Sequence, residues 1–331
     1  MSAMIVPQKL KPGDMVRVIA PSKSLKIVSA PNIAQAIMTL KALGLSVTFS
    51  QHAGEFDCFG SSEIKSRVDD LHAAFLDPQV RGILTVLGGY NVNQLIAHLD
   101  YDLIQQNPKI LCGFSDITAL QNAITAKTGL VTYSGPHFSS FGMQKGCEYT
   151  LAGFRKMFFE DSQSLALAPA ETWSDDAWYL DQENRQFYPN EGFFAIQTGK
   201  AEGAILGGNL GTLNLLNGTE YQPVLKNKIL FIEEVVGHVS NVDEFDRQLQ
   251  ALSHQPGTDQ VRGIVIGRFE KAFGMTPGLL QKIIASKVIF QHIPIASHAD
   301  FGHTTPIFTF PIGGHCAMDV AETTVALTIQ T

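Results

Sequence analysis

Cysteine is scarce and scattered: Cys58, Cys112, Cys147 and Cys316 make no Cys-x-x-Cys pair and no Cys/His cluster at zinc-ligand spacing. That excludes a disulfide framework and a zinc module, and predicts reduced thiols, mostly buried. Positive charge is in deficit, Lys and Arg numbering 24 against 31 Asp and Glu for a formal net charge of -7, so there is no basic footprint for nucleic acid or an anionic membrane. No apolar run reaches bilayer-spanning length, and the stretch from Met1 to Lys11 lacks a basic segment followed by an apolar core. A cytoplasmic protein acting on a small molecule or short peptide is expected, with no metal and no other cofactor. Solenoid repeats and low-complexity tracts are also missing. Gly88-Gly89-Tyr90-Asn91 has neither the Walker lysine nor the Gly-x-Gly-x-x-Gly spacing, which argues against a dinucleotide-dependent oxidoreductase.

What the chain does have is apolar residues at 45% and charged residues at only 17%, over 331 residues, enough for about two domains with real cores. From residue 15 to 151 strand-like runs alternate with helical periodicity: a strand over 16–20, a helix over 33–43 closed by Gly44, a strand over 45–49, a helix over 62–76 with Ser61 or Ser62 as N-cap, and a buried strand over 80–87 stopping at Gly88-Gly89. That alternation predicts a layered α/β domain over 1–160 with a mainly parallel sheet. Residues 162–191 are aperiodic and rich in Pro, Asp, Glu and aromatics, so 161–191 is taken as a linker and substrate loop. Residues 192–331 combine short strands, many glycines and one clear helix over 241–252, which predicts an α+β second domain.

One stretch is suited to chemistry. In Gly113-Phe114-Ser115-Asp116 a serine stands between the apolar run 109–112 and the helical run 117–127, the position of a nucleophile elbow. Glycine permits a tight turn, and the first free N–H groups of the new helix favour an anion beside the serine Oγ; the same residues also suit an ordinary N-cap. A serine needs a base. His303, in the glycine-flanked loop Asp300-Phe301-Gly302-His303, is the foremost candidate, with His298 and His315 as competitors. For an orienting carboxylate, alternation along 228–234 puts Glu233 and Glu234 on opposite faces, so one of the two can face the site. Backbone N–H groups of Gly89 and Asp116 are candidate oxyanion donors, and Gly88 and Asn209 candidate substrate-lining residues.

Taken together, Ile19-Ala20-Pro21-Ser22, Gly88-Gly89-Tyr90-Asn91, Gly113-Phe114-Ser115-Asp116-Ile117-Thr118, Ser134-Gly135-Pro136-His137, Gly207-Gly208-Asn209-Leu210, Leu230-Phe231-Ile232-Glu233-Glu234, Asp246-Arg247 and Phe301-Gly302-His303 resemble the LD-carboxypeptidase family of serine peptidases in composition and order. The resemblance implies Ser115 as nucleophile, His303 as general base and acid, Glu233 as the group orienting His303, and Gly89 and Asp116 as oxyanion donors. It also implies a two-domain fold with the triad assembled between the domains, homodimers, and no metal. Within the family the chain is most similar to the microcin C self-immunity branch, which hydrolyses the bond joining an amino acid to an adenylate mimic. Peptidoglycan-recycling members carry an arginine where this chain has Leu87, and the segment with Trp173 and Trp178 resembles the immunity branch's longer loop, in which a tryptophan stacks on adenine. Trp178 is preferred to Trp173 for that role. The expected activity is hydrolysis of an aminoacyl-nucleotide amide; release of D-alanine from a muropeptide tetrapeptide is the alternative, and a binding protein without turnover a more distant one.

Overall fold

The computed structural model describes residues 4–237 and 241–330. The first part of the chain alternates as its pattern requires: β1 (Met15–Ile19), α1 (Ala30–Ala42), β2 (Ser46–Phe49), α2 (Ile64–Leu76), β3 (Val80–Thr85), α3 (Tyr101–Gln106), β4 (Ile110–Gly113), α4 (Ile117–Thr128), β5 (Thr132–Ser134) and α5 (Glu148–Phe159). Strands β1 to β5 pair in parallel in the order β5-β4-β3-β1-β2, because each apolar run is followed by a helix that returns the chain to the same end.

Two helix starts differ from expectation, one because a nearer residue caps it and one because a tertiary partner takes the capping side chain. Helix α1 begins at Ala30 rather than residue 33, with the Ser29 side chain accepting from Asn32 N and a proline in the first turn. Helix α2 has Glu63, not Ser61 or Ser62, at its N-cap, without a side-chain capping bond. Ser61 Oγ accepts instead from Asn91 Nδ2 at 2.8 Å, inside the buried polar network beneath Gly88-Gly89.

Beyond α5 follow β6 (Ser164–Leu167), β7 (Thr172–Trp173), β8 (Tyr188–Pro189), β9 (Phe194–Gln197), β10 (Gly199–Asn209), α6 (Leu210–Asn214), β11 (Lys228–Glu233), α7 (Val242–Ser253), β12 (Gly263–Gly267), α8 (Pro277–Ala285), β13 (Ile295–Ala299), β14 (Phe310–Ile312), β15 (His315–Val320) and β16 (Val325–Gln330). The second sheet runs β6-β16-β15-β10-β11-β12-β13-β9, a parallel core of β10 to β13 flanked by antiparallel strands. The chain thus forms a mixed α/β fold of two sheet-based parts.

Two strands cross the expected sequence boundaries. The aperiodic stretch supplies β6 to the second sheet's edge, and the late strand β14 pairs antiparallel with β5 in the first sheet. Apolar packing accounts for the second crossing: Phe310 is fully buried and its ring lies 4.8 Å from that of Phe231 on β11, so β14 ties the two sheets through one aromatic core with Phe301 and Phe308. Among the described residues no helix is long and apolar enough to cross a membrane.

Candidate active site

Ser115 sits in the two-residue gap between Gly113, which ends β4, and Asp116, which immediately precedes α4. Its φ of 62° is left-handed, a conformation that costs a non-glycine residue about 1–2 kcal/mol. The turn directs Oγ away from capping: it lies 2.9 Å from His303 Nε2. His303 Nδ1 in turn lies 2.7 Å from Glu233 Oε2. The three sequence-picked side chains therefore form one hydrogen-bonded chain, although 188 residues separate the serine from the histidine.

Close packing builds this chain. A Cβ on Gly88 would fall 2.9 Å from both Ser115 Cβ and Oγ, so backbone approaches Ser115 there only because a side chain is absent, and one on Gly89 would lie only 2.3 Å from Ser22 Oγ. Gly302, at φ 101°, does the same for the carboxylate: a Cβ there would lie 2.7 Å from Glu233 Oε2. The other carboxylate, Glu234, points away and accepts from Asn209 Nδ2 at 2.9 Å, Gly211 N at 3.1 Å and Val235 N at 3.1 Å. Strand alternation at the end of β11 is what separates the two.

The electrostatics set the imidazole's proton affinity. Burial pulls His303 down, but the charge and hydrogen bond of Glu233, reinforced by Glu270 and Glu234, outweigh it, and its pKa stands above the ordinary 6.5. Asp116 is buried, and its carboxylate accepts from Ser22 Oγ at 2.6 Å and Val92 N at 2.9 Å rather than capping α4. That fixes the turn while leaving the Asp116 N–H unused. Among the described residues, neither the Gly89 nor the Asp116 N–H has an acceptor.

A cavity of about 320 Å³ opens beside Ser115, bordered by Gly88, Gly89 and His303 and walled by Leu87, Phe114, Pro136, Phe141 and Ile307, with Trp178 and Tyr179 also lining it. No Lys or Arg lines it among the described residues. The two tryptophans part company: Trp178 faces this cavity, whereas Trp173 packs its ring 5.2 Å from Tyr188 and under the Arg268 guanidinium at 5.0 Å. Asn209, expected to line a substrate, does not border the cavity. Its Oδ1 caps α6 at Thr212 N and its Nδ2 bonds Glu234, so its polar atoms are engaged internally. The competitor histidines are elsewhere: His298 bonds Ser297 Oγ at 2.9 Å, and His315 starts β15. Of the cysteines, Cys112 and Cys316 are buried, Cys147 lies half-buried on the cavity wall and Cys58 is exposed.

Sequence reasoning overlooked several neighbours. The buried His137 stacks on Phe114 with centroids 4.2 Å apart, and Phe114 meets His303 edge-on at 5.4 Å. Burial, helped by the charge of His303, pushes His137 down to about 3, so it stays neutral. Its place in Ser134-Gly135-Pro136-His137, directly after β5, was the available signal. No group of three or more His, Cys, Asp or Glu suited to holding a metal occurs among the described residues.

Comparison with known proteins places the chain in a family. The LD-carboxypeptidase N-terminal domain model matches residues 16–135 and the LD-carboxypeptidase C-terminal domain model residues 202–318. A Bacillus subtilis (strain 168) protein named "Putative carboxypeptidase YocD" is 51% identical across 97% of this chain and 98% of its own length. The crystal structure of an MccF-like protein from Bacillus anthracis str. Ames superposes with a TM-score of 0.96 at 55% identity, covering 99% of both chains. The microcin C7 self-immunity protein MccF in complex with aspartyl sulfamoyl adenosine superposes with a TM-score of 0.89 at 28% identity over 99% of this chain and 98% of that one. With both family domains matched in order and the whole length covered, the chain belongs to the LD-carboxypeptidase family.

Proposed function

We propose that the protein is a serine hydrolase that cleaves the amide-type bond between an aminoacyl group and a nucleotide-like moiety, such as an aminoacyl sulfamoyl or phosphoramidate adenylate. The observation carrying this reading is the continuous bonding from Ser115 Oγ to His303 to Glu233 beside two uncommitted N–H groups. His303 Nε2 takes the Ser115 proton as Oγ attacks the carbonyl carbon, and Glu233 steadies the imidazolium. The oxyanion is held by the N–H groups of Gly89 and Asp116, each donor of this kind lowering the barrier by about 3 kcal/mol. Collapse breaks the C–N bond as His303 returns the proton to the leaving nitrogen. Water, deprotonated by His303, then hydrolyses the acyl-enzyme. Residues 1–160 contribute the nucleophile and 192–331 the carboxylate and imidazole, while 161–191 contributes Trp178.

The aromatic wall supports the nucleotide side of this reading, because half-buried Trp178 lines the cavity where a base can stack and a relative of known structure, MccF, holds aspartyl sulfamoyl adenosine. Leu87 lies on the same cavity, at the position of the arginine typical of peptidoglycan-recycling members. The second reading, release of D-alanine from a muropeptide tetrapeptide, draws on relatives named as carboxypeptidases. One reaction mixture separates the two: purified protein is offered aspartyl sulfamoyl adenosine and an L,D-tetrapeptide, with Ser115→Ala as control, and products are read by mass spectrometry. Ser115-dependent release of sulfamoyl adenosine supports the proposal, and selective loss of D-alanine replaces it. A cytoplasmic homodimer belongs to the same reading, and sedimentation of the purified protein tests its assembly.

A further inference from the structure

Outside the bonded chain at Ser115, the most fully engaged charged side chain near the cavity is Arg185. Its side chain is 1% exposed, yet it lies in a stretch without periodicity. Its Nε donates to both Asp176 oxygens at 2.7 and 2.9 Å, one Nη to Lys145 O at 2.6 Å, and the other to Thr305 Oγ1 at 3.2 Å. The guanidinium also lies over the Phe187 ring at 4.9 Å. A planar fork that meets a carboxylate, a carbonyl and a hydroxyl at once is a geometry lysine does not reproduce.

The partners matter more than their number. Asp176 is two residues from Trp178 on the cavity wall, and Thr305 is two residues from His303. Ser174 and Thr305 also exchange backbone hydrogen bonds in both directions, at 2.7 and 2.8 Å. On the other side of His303, buried Asp300 accepts from Ala170 N at 2.8 Å and from Asn190 Nδ2 at 3.0 Å, both ends of the same segment. The histidine is therefore bracketed by two residues, each fastened to 170–190.

We propose that Arg185 is a positioning residue for the reaction: through Asp176 and Thr305 it locks the cavity-wall segment to the loop of His303, so that the imidazole keeps its alignment to Ser115 only while that segment is seated. The proposal rests on the serine-hydrolase reading. A purely structural anchor for the segment would hold Trp178 but leave the reactivity of Ser115 toward a very small reagent untouched.

The test uses a small alkyl fluorophosphonate, which forms a P–O bond to Ser115 Oγ and expels fluoride, and which is too short to need the aromatic wall. Labelling rates are followed by intact mass on wild type, Arg185→Met, Arg185→Lys and Asp176→Asn, each checked for folding by its melting curve. Misplacing a catalytic group by about 1 Å costs on the order of 100-fold, so Arg185→Met is expected to label roughly 10- to 100-fold more slowly, with Arg185→Lys between it and wild type. Should Arg185→Met not fold, Asp176→Asn, which keeps the shape but weakens the fork, carries the same expectation. Folded variants labelling at the wild-type rate overturn the clamp while leaving the hydrolase reading intact. Wild type that takes no label at Ser115 overturns that reading, and the clamp with it.

Discussion

Replacing Glu233 by Gln removes a charge and almost no volume, and its consequences follow from the single 2.7 Å contact to His303. A carboxylate and an imidazolium with charge centres about 4 Å apart attract by about 4 kcal/mol at an effective dielectric of about 20. In the wild type this attraction, with the smaller help of Glu270 and Glu234, overcomes burial and holds His303 above 6.5; without Glu233 the pKa falls. His303 acts as a base only when neutral, so the acid limb of kcat/KM lies above 6.5 in the wild type and moves to lower pH in Glu233→Gln. The rate falls as well, since exchanging the orienting carboxylate of a serine triad for its amide costs about 10⁴ in kcat. Stability carries the same signature with a fixed sign. A group whose folded pKa is raised contributes stabilisation that is full below its unfolded value and lost as pH rises through the folded one. The melting-temperature advantage of wild type over Glu233→Gln is therefore largest in acid and closes as pH rises through the raised His303 pKa. The assay is kcat/KM for an aminoacyl sulfamoyl adenosine against pH, with melting curves in the same buffers. An acid limb that stays in place, or an unchanged kcat, refutes the assignment of Glu233.

Glu234→Gln is expected to behave oppositely, losing about 1–3 kcal/mol in denaturant titration because a buried acceptor of three hydrogen bonds is weakened, while kcat/KM stays within a few-fold. Gly88→Ala puts a methyl 2.9 Å from Ser115 Cβ and Oγ, so kcat drops by about 100-fold and stability by about 1–3 kcal/mol; near-normal turnover would show that the backbone yields. Trp178→Ala is expected to raise KM for the nucleotide substrate roughly 5- to 150-fold, the equivalent of about 1–3 kcal/mol of stacking. Trp173→Ala should instead lower stability by about 3 kcal/mol, because its ring is packed against Tyr188 and Arg268.

Those contrasts also mark where sequence was informative. The turn at Ser115 was readable because its causes are local: an apolar run, a glycine, and an immediate helical pattern. Likewise the division of labour between Glu233 and Glu234 follows from alternation, which is a property of the strand itself. The caps of α2 and α4 were not readable. Ser61 and Asp116 are suitable capping types, but their side chains are taken by Asn91, Ser22 and Val92, residues brought near only by the sheet. Asn209 has the same history: its residue type suits a ligand, and its position gives it to Thr212 and Glu234.

The segment 170–190 is the sharpest case, because it has no period to read and is nonetheless tightly held. Fixing each backbone residue costs roughly 1–2 kcal/mol of conformational entropy, and an isolated stretch of this composition has no internal core to offset that. The offset comes from outside, through Arg268 and Asn190 around Asp300, Arg185 between Asp176 and Thr305, and Gln182 Nε2 donating to Asn32 Oδ1 and Gly142 O. Apart from the Arg185–Asp176 pair, nine residues apart, those bonds join residues far apart in the chain, so composition alone leaves the segment looking like a linker. Its order is a consequence of the same two loops that present Trp178 and His303, which is why a change at Arg185 is expected to be felt at Ser115, a residue it does not touch.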